Sequence, residues 1–142
     1  MPVRLAVTLG DPAGIGPEVT EAGLTTVLRE KPELEVVLLG PAGMADAMAT
    51  RLGARVEAQM QAAFAGRVGR VSAASGRAAL DALMAGIRLA QRREVGALVT
   101  APISKEGLAL AGSTDLGHTT ILAVAQAARC GPPRSESRWS SA

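Results

Sequence analysis

Short apolar runs alternate with helix-forming stretches along this chain, and that alternation limits the folds open to it. Residues 3–9, 34–39 and 96–100 are compact apolar runs with β-branched residues, and a glycine or a proline follows each within two residues. Runs of this length fit buried strands. Because helix-like stretches separate the runs, the sequence predicts an α/β fold with a mostly parallel sheet and flanking helices.

The first two helices are predicted from their end signals. Pro17 and Glu18 suit the first turn of a helix that runs to about residue 29, because proline fits an opening turn and a carboxylate is favourable there. A second helix, 44–52, stops at Gly53. Both helices follow a predicted strand directly, as expected in a parallel sheet.

The later elements are predicted from apolar spacing and turn residues. Residues 55–59 can form a strand, with a further short strand inside 66–74. From Ser75 to about residue 93 the apolar residues fall at helical spacing, and 104–110 and 119–129 can form two more helices, the first capped by the serine at its start. The apolar stripe of the long helix comprises Ala79, Leu80, Leu83, Met84, Ile87 and Ala90.

Composition restricts the possible partners. The net charge is +2 without a block of like charge, and Phe64 and Trp139 are the only aromatic residues, so a nucleic-acid surface has little support. Cys130 is the single cysteine and cannot form an internal disulfide, which fits a reducing cytoplasm. The apolar stretch at the N-terminus is too short for a secretion signal, and no apolar run approaches the roughly 18 residues that span a bilayer. We therefore expect a cytoplasmic protein that binds neither membranes nor nucleic acid.

Three segments carry the candidate chemistry. They are "TLGDPAGIGPE" at residues 8–18, "ALVTAPISKEGL" at 97–108 and "GHTTILA" at 117–123. The first two follow predicted strands, and the carboxyl ends of parallel strands are where ligands bind to such sheets. We expect the three segments to share one edge of the sheet.

The first segment is a candidate anion-binding loop. Gly14 and Gly16 would allow close approach of a ligand to the backbone, beside Asp11 and the free N–H groups of the following helix. The alternative is a tight strand-to-helix turn without a ligand. The glycine spacing matches neither the dinucleotide-binding fingerprint nor the Walker loop.

Lys105 and His118 are the candidate side chains of the other two segments. The ammonium group of Lys105 could reach a carboxylate or phosphate at the strand ends, or could simply be exposed on a helix. His118 is the only histidine, and the hydroxyls of Thr119 and Thr120 could bind a polar substrate or cap a helix. One histidine excludes a three-histidine metal site within one copy of this chain, and no glycine-serine-glycine elbow is present for a serine-histidine-aspartate triad.

Taken together, the three segments resemble the 4-hydroxythreonine-4-phosphate dehydrogenase family of vitamin B6 synthesis. Members open with a strand and "GDPAGIGPE", carry "ALVTAPI" followed by a residue and "KE" after a central strand, and then show "GHTE". "SAASGRAA", which precedes the long helix, resembles the start of a helix in that family. The resemblance covers residues 3 to about 123, and it implies part of an isocitrate/isopropylmalate-dehydrogenase-like fold.

The resemblance implies an oxidoreductase that uses NAD or NADP. It would oxidise the secondary alcohol of 4-hydroxythreonine 4-phosphate and release the carboxyl group as CO2, giving 3-amino-2-oxopropyl phosphate for pyridoxal phosphate synthesis. A divalent metal, Zn, Mg or Co, assists as a Lewis acid in the full-length family. His118 and Thr119 match the substrate-binding "GHT", and the family's sites form at the interface of a homodimer.

The chain also departs from the family pattern. Leu116 precedes Gly117 where the family has proline, and Thr120 replaces the acid of "GHTE". Family members are much longer, and their three metal-binding histidines and most of their nucleotide contacts come later in sequence. We therefore expect residues 1–123 to be the N-terminal α/β part of a truncated dehydrogenase with impaired activity. Residues 124–142 are predicted to be a disordered or frameshifted tail.

Two other functions remain open at this point. The chain could be a non-catalytic module that binds a phosphorylated small molecule. It could also be a subunit whose site is completed by a separate chain that carries the three histidines. Saturable binding without turnover would indicate the first, and activity that appears only on mixing would indicate the second.

Overall fold

A computed structural model describes residues 2–115 and 117–130, so Leu116 and residues 131–142 of the predicted tail (124–142) lie outside the described residues. This part of the chain contains four strands, which are β1 (Val3–Thr8), β2 (Leu34–Pro41), β3 (Val56–Gln61) and β4 (Ala97–Thr100). They form one sheet in the order β3-β2-β1-β4, and all neighbouring pairs are parallel. The predicted parallel α/β architecture is confirmed.

Five helices accompany the sheet within the described ranges. They are α1 (Gly16–Glu30), α2 (Met44–Leu52), α3 (Ala73–Gln91), α4 (Lys105–Leu110) and α5 (His118–Cys130). The last helix continues seven residues past Ala123, where the sequence predicted the tail to begin. None of the helices in the described ranges combines the length and apolar character needed to cross a bilayer.

Alternating residues of the central strands build two cores. Val7, Val36 and Leu38 face α1 and α2, with Leu24 and Met48 packed against them. On the opposite face of the sheet, Ala6, Val37 and Leu39 of the strands pack against α3. The helix contributes Ala82, Ala85 and Leu89, of which two have small side chains. Strands buried on both faces explain why their sequences are almost continuously apolar.

The observed α3 differs from the predicted helix in two ways, in the residue at which it begins and in the exposure of one residue of the predicted apolar stripe. It begins at Ala73 instead of Ser75, because Ser72 and Ser75 form a capping box. Met84, predicted in the apolar stripe, is 36% exposed. The sheet is instead contacted by Ala82 and Ala85, whose small side chains let the helix lie close to the strands. The further short strand predicted within 66–74 is absent, because that segment forms turns before α3.

Arg55 holds the end of α1 against the start of β2 and β3. Its guanidinium group donates hydrogen bonds to three backbone carbonyls, those of Leu28, Lys31 (2.9 Å) and Leu34 (3.3 Å). The last carbonyls of a helix have no partner within the helix, so a side-chain donor there removes an unsatisfied group. The fork of N–H donors suits arginine better than lysine.

We expect Arg55→Ala to lower the free energy of unfolding by about 1–3 kcal/mol, because it leaves partly buried carbonyls without donors. Urea unfolding followed by circular dichroism measures this. Arg70→Ala is the matched control, since Arg70 is exposed and its side chain makes no hydrogen bond within the described ranges; its effect should stay within about 0.5 kcal/mol. Equal losses in both variants would contradict the role assigned to Arg55.

The chain reverses its winding direction at β1. The strands β1, β2 and β3 are neighbours in that order, so the chain first moves towards one edge of the sheet. α3 then crosses the opposite face and leads to β4, which pairs with the other side of β1. In open α/β sheets, ligands bind beyond the carboxyl ends of strands at such a reversal. The loops that follow Thr8 and Thr100 therefore define where a site should be sought.

Candidate functional site

The loops that follow β1 and β4 contact each other directly. The backbone N–H of Asp11 donates to the carbonyl of Pro102 at 2.9 Å, and the N–H of Ala101 donates to the buried hydroxyl of Thr8 at 3.3 Å. These bonds close the space between the ends of the two strands. The protein's own backbone thus occupies the crevice that the reversal of winding creates.

The glycines of the first segment serve this loop-to-loop contact. Gly10 has φ of +69°, and a side chain there would collide with the carbonyl oxygen of Pro102. A side chain at Gly16 would collide with the carbonyl oxygen of Leu9. At Gly14 a Cβ would lie 3.7 Å from the nearest atom, which is an ordinary contact. Close backbone approach therefore occurs at Gly16 but not at Gly14, and sequence reasoning missed Gly10.

Asp11 caps the turn that leads into α1. Its side chain is 5% exposed, and its Oδ1 accepts a hydrogen bond from the N–H of Ala13 at 2.8 Å. A carboxylate at this point places negative charge near the start of the helix, where the helix dipole favours it. The same charge would oppose a bound anion, so the arrangement favours the turn interpretation of this loop. Its anion-binding role stays a prediction.

A separate cleft lies between the first turns of α4 and α5. It has a volume of about 380 Å³ and is lined by Ile103, Lys105, Gly117, His118, Thr119 and Thr120. The structure thus brings together three of the predicted site residues, Lys105, His118 and Thr119, whereas Asp11, Gly14 and Gly16 do not line the cleft. This cleft is the candidate functional site.

An apolar cluster beneath the cleft fixes the two helices. Leu108, three residues after Lys105, and Ile121, three residues after His118, are buried against Leu83 of α3. Residues three positions apart lie on the same side of a helix. Because Leu108 and Ile121 are buried, they hold Lys105 and His118, one turn earlier, at the cleft. Ser104 caps α4 as predicted, since its hydroxyl accepts from the N–H of Gly107 at 3.0 Å.

Two glycines set how closely α4 approaches α3. A side chain at Gly76 of α3 would collide with the carbonyl group of Gly107 in α4, and both glycines are buried. Each lies inside a helix, where glycine destabilises by roughly 0.5–1 kcal/mol relative to alanine. A glycine inside a helix usually has a packing reason, and this was the only signal in the sequence that could have revealed the contact between α3 and α4. The pair went unrecognised at the sequence level.

His118 carries the most unusual atom of the cleft. Its Nε2 is buried and has no hydrogen-bond partner within residues 2–115 and 117–130. A buried polar atom without a partner costs about 1–3 kcal/mol, and such atoms are uncommon in native proteins. The missing partner of this nitrogen makes His118 the candidate ligand contact among the residues that line the cleft.

We searched the described residues for sites that could hold the divalent metal and the NAD or NADP that the resemblance implies. No group of three histidine, cysteine or acidic side chains among the described residues can hold a metal ion. The glycine loop offers no cradle for a nucleotide pyrophosphate, because the backbone atoms of Leu9 and Pro102 fill the space beside Gly16 and Gly10. Among the described residues there is thus no cluster of three metal-binding side chains, and the glycine loop does not hold a nucleotide.

Comparisons with known proteins agree on one family. The family model of the pyridoxal phosphate biosynthetic protein PdxA matches residues 19–130. A 4-hydroxythreonine-4-phosphate dehydrogenase from Beijerinckia indica is 37% identical over 84% of this chain and 40% of its own length. A D-threonate 4-phosphate dehydrogenase from Salmonella typhimurium is 32% identical over 84% of this chain and 43% of its own. The chain therefore spans about two fifths of the length of these curated relatives.

A solved structure supports the same assignment. The crystal structure of 4-hydroxythreonine-4-phosphate dehydrogenase from Klebsiella pneumoniae superposes with a TM-score of 0.71 and 29% identity. The superposition covers 87% of this chain and 44% of that one. The expected isocitrate-dehydrogenase-like α/β fold is thereby confirmed.

Proposed function

Because the chain belongs to the family of the pyridoxal phosphate biosynthetic protein PdxA, we propose that it is the substrate-holding N-terminal part of a dehydrogenase. The reaction proposed for the whole enzyme is the NAD- or NADP-dependent oxidation and decarboxylation of 4-hydroxythreonine 4-phosphate to 3-amino-2-oxopropyl phosphate. The proposal includes a homodimer in the cytoplasm and a divalent metal. The observation that carries it is the cleft that both Lys105 and His118 line, together with the buried Nε2 of His118, which has no partner among the described residues.

The proposed substrate class follows from what two relatives have in common. Their names specify 4-hydroxythreonine 4-phosphate and D-threonate 4-phosphate, which are both four-carbon hydroxy acids with a phosphate on the fourth carbon. A doubly anionic phosphate or a carboxylate is attracted by the ammonium group of Lys105, which projects from the first turn of α4. The molecule also offers hydroxyl groups that can pair with the imidazole.

Each cleft residue then has a distinct binding task. Lys105 contacts an anionic group, and the Nε2 of His118 forms a hydrogen bond with a substrate hydroxyl or carboxylate oxygen. The hydroxyls of Thr119 and Thr120 lie on the same helical turn and can donate to further substrate oxygens. The chain's residues bind and orient the substrate, and groups beyond the described residues supply the redox chemistry.

Removing the charge of Lys105 tests this proposal. We expect Lys105→Met to weaken binding of 4-hydroxythreonine 4-phosphate about tenfold, because a charge-assisted hydrogen bond contributes roughly 1.5 kcal/mol or more. Isothermal titration calorimetry on the full chain measures the dissociation constant. Methionine keeps most of the side-chain length, so the change isolates the ammonium group.

Lys31→Met is the matched control, because Lys31 is the only other lysine and lies after α1, at the opposite end of the sheet from the cleft. It should leave the dissociation constant unchanged within twofold. Similar weakening in both variants would indicate a general charge effect and contradict the proposed site. So would wild-type protein that binds the dephosphorylated acid as tightly as the phosphorylated one.

A second candidate function is a non-catalytic module that binds a phosphorylated small molecule. The observation that favours it is the single histidine in 142 residues, since the family's metal site needs three. Saturable binding of the phosphorylated acid, with no reduction of NAD by the chain in the presence of metal, would support this candidate. Hydride transfer by the chain alone would exclude it.

A further inference from the structure

The cleft between α4 and α5 contains a cationic side chain and, among the described residues that line it, no carboxylate. Lys105 supplies the ammonium group, and it makes no ion pair within residues 2–115 and 117–130. Glu106, in the first turn of α4, is exposed and does not line the cleft. Asp115, the acidic residue closest in sequence to His118, does not line it either. A ligand in the cleft therefore meets a positive charge that no lining carboxylate balances.

The start of α5 adds positive potential on the same side of the molecule. This helix extends over 13 residues, and its first turn contains no acidic residue. The N–H groups at the start of a helix carry partial positive charge, which attracts anions and repels cations. His118, Thr119 and Thr120 belong to that first turn, and all three line the cleft. The cleft is thus suited to anionic and neutral groups, and it is poorly suited to an ammonium group.

We infer that the cleft selects a four-carbon hydroxy acid phosphate over the corresponding amino acid phosphate, and that Thr120 is a specificity-determining residue for this choice. The inference rests on the proposed function, because it concerns the substrate of the same cleft. At about pH 7, 4-hydroxythreonine 4-phosphate carries an ammonium group on its second carbon, whereas D-threonate 4-phosphate carries a hydroxyl there. The two acids therefore differ by one unit of charge at the same carbon.

This one group determines how well each acid fits the cleft. An ammonium group that leaves water is costly unless a carboxylate or several acceptors replace its hydration, and here it would also be repelled by the like charge of Lys105. A hydroxyl carries no charge and can pair with the hydroxyl of Thr120 or with an imidazole nitrogen. The hydroxy acid is also the more anionic ligand, so Lys105 and the start of α5 attract it more strongly.

Position 120 is the place where a carboxylate would change this balance. Thr120 lines the cleft and is exposed, so a longer side chain there displaces no buried group. It also occupies the position of the acid in the "GHTE" pattern that this chain resembles. A threonine hydroxyl can pair with a neutral or anionic oxygen, but it cannot neutralise a cation.

Isothermal titration calorimetry on the full chain, with each of the two acids as the ligand, tests the inference. We expect D-threonate 4-phosphate to bind at least about tenfold more tightly than 4-hydroxythreonine 4-phosphate. Thr120→Glu should reduce this ratio at least about tenfold, because the new carboxylate pairs with the ammonium group and repels the more anionic hydroxy acid. The variant should fold, since a carboxylate in the first turn of a helix is favourable.

Thr120→Gln is the matched control, because glutamine has the size of glutamate without its charge. It should leave the ratio of the two dissociation constants within about twofold of the wild-type value. Thr26→Glu controls for the net charge of the protein, since Thr26 is exposed on α1 and does not line the cleft. This variant should also leave the ratio unchanged.

Equal affinity for the two acids, or tighter binding of the amino acid, would overturn the inference and leave the proposed substrate cleft standing. Equal changes of the ratio in Thr120→Glu and Thr120→Gln would also overturn it, because they would assign the effect to side-chain size. An equal change in Thr26→Glu would assign the effect to net charge and overturn it as well. Binding of neither acid would overturn the inference together with the proposed function, so the two failures are distinguishable.

Discussion

Gly76→Ala is expected to lower the free energy of unfolding by about 2–3 kcal/mol, although alanine favours helices over glycine. The added methyl group would collide with the carbonyl group of Gly107, a backbone atom held inside α4. Because a backbone group cannot rotate away as a flexible side chain does, α3 and α4 must separate. Thermal and urea unfolding, followed by circular dichroism, measure the loss.

Gly23→Ala is the matched control within a helix. Gly23 lies in the interior of α1, and a Cβ there would meet no atom within 4 Å. We expect this variant to raise the free energy of unfolding by about 0.5–1 kcal/mol, through the ordinary difference in helix propensity. If the substitution lowers the free energy of unfolding at position 76 and raises it at position 23, the contact between Gly76 and Gly107 is the cause of the loss. A stabilised Gly76→Ala protein would contradict the packing described for α3 and α4.

The same variant should also affect the cleft. Lys105 begins the helix that contains Gly107, so a displaced α4 moves the ammonium group relative to His118. Gly76→Ala should therefore weaken binding of the phosphorylated acid at temperatures where the protein is still folded. Gly23→Ala should not.

His118→Phe is expected to change stability and binding in opposite directions. Phenylalanine retains a ring of similar shape but removes the buried Nε2 that has no partner in the described part of the chain. Removal of such an atom should raise the free energy of unfolding by about 1 kcal/mol. Binding of 4-hydroxythreonine 4-phosphate should weaken about tenfold to a hundredfold, because the ligand loses its hydrogen bond to the ring.

His118→Gln separates the hydrogen bond from the ring shape. Its amide nitrogen can reach a position close to that of Nε2, so we expect partial recovery of affinity relative to phenylalanine. Calorimetry gives the affinities, and urea unfolding gives the stabilities. A phenylalanine variant that loses stability and affinity in parallel would indicate that His118 only supports the fold. One with unchanged affinity would exclude His118 from the binding site.

Most of the sheet could be predicted from sequence because β1, β2 and β4 are compact, mostly apolar runs, each followed by a turn. The predicted bounds of β1, β2 and β4 lie within two residues of the observed ones, since an apolar run that ends at glycine or proline leaves a clear signal. The predicted start of α3 differs by two residues, because Ser72 and Ser75 both suit a cap and only the structure shows their reciprocal bonds. The exposure of Met84 depends on which face of α3 meets the sheet, and apolar spacing alone does not determine that.

The site could be predicted in part. Lys105, His118 and Thr119 were expected near one edge of the sheet, and the structure brings them into one cleft. The loop that contains Asp11 and Gly16 was expected there as well, but its close contacts are with the backbone of Leu9 and Pro102. Glycines that admit a ligand and glycines that admit a neighbouring backbone have the same sequence signature. Only the tertiary structure distinguishes the two.

The most direct test of the binding cleft uses the fact that His118 is the only histidine. In a nitrogen-15 NMR spectrum its imidazole signals need no assignment by mutagenesis. Titration with 4-hydroxythreonine 4-phosphate should shift these signals saturably, with the same dissociation constant as calorimetry. The dephosphorylated acid should bind about tenfold more weakly or worse, because it lacks the charge-assisted contact. Unchanged imidazole signals at ligand concentrations that saturate the calorimetric response would place the ligand elsewhere and contradict the cleft between α4 and α5.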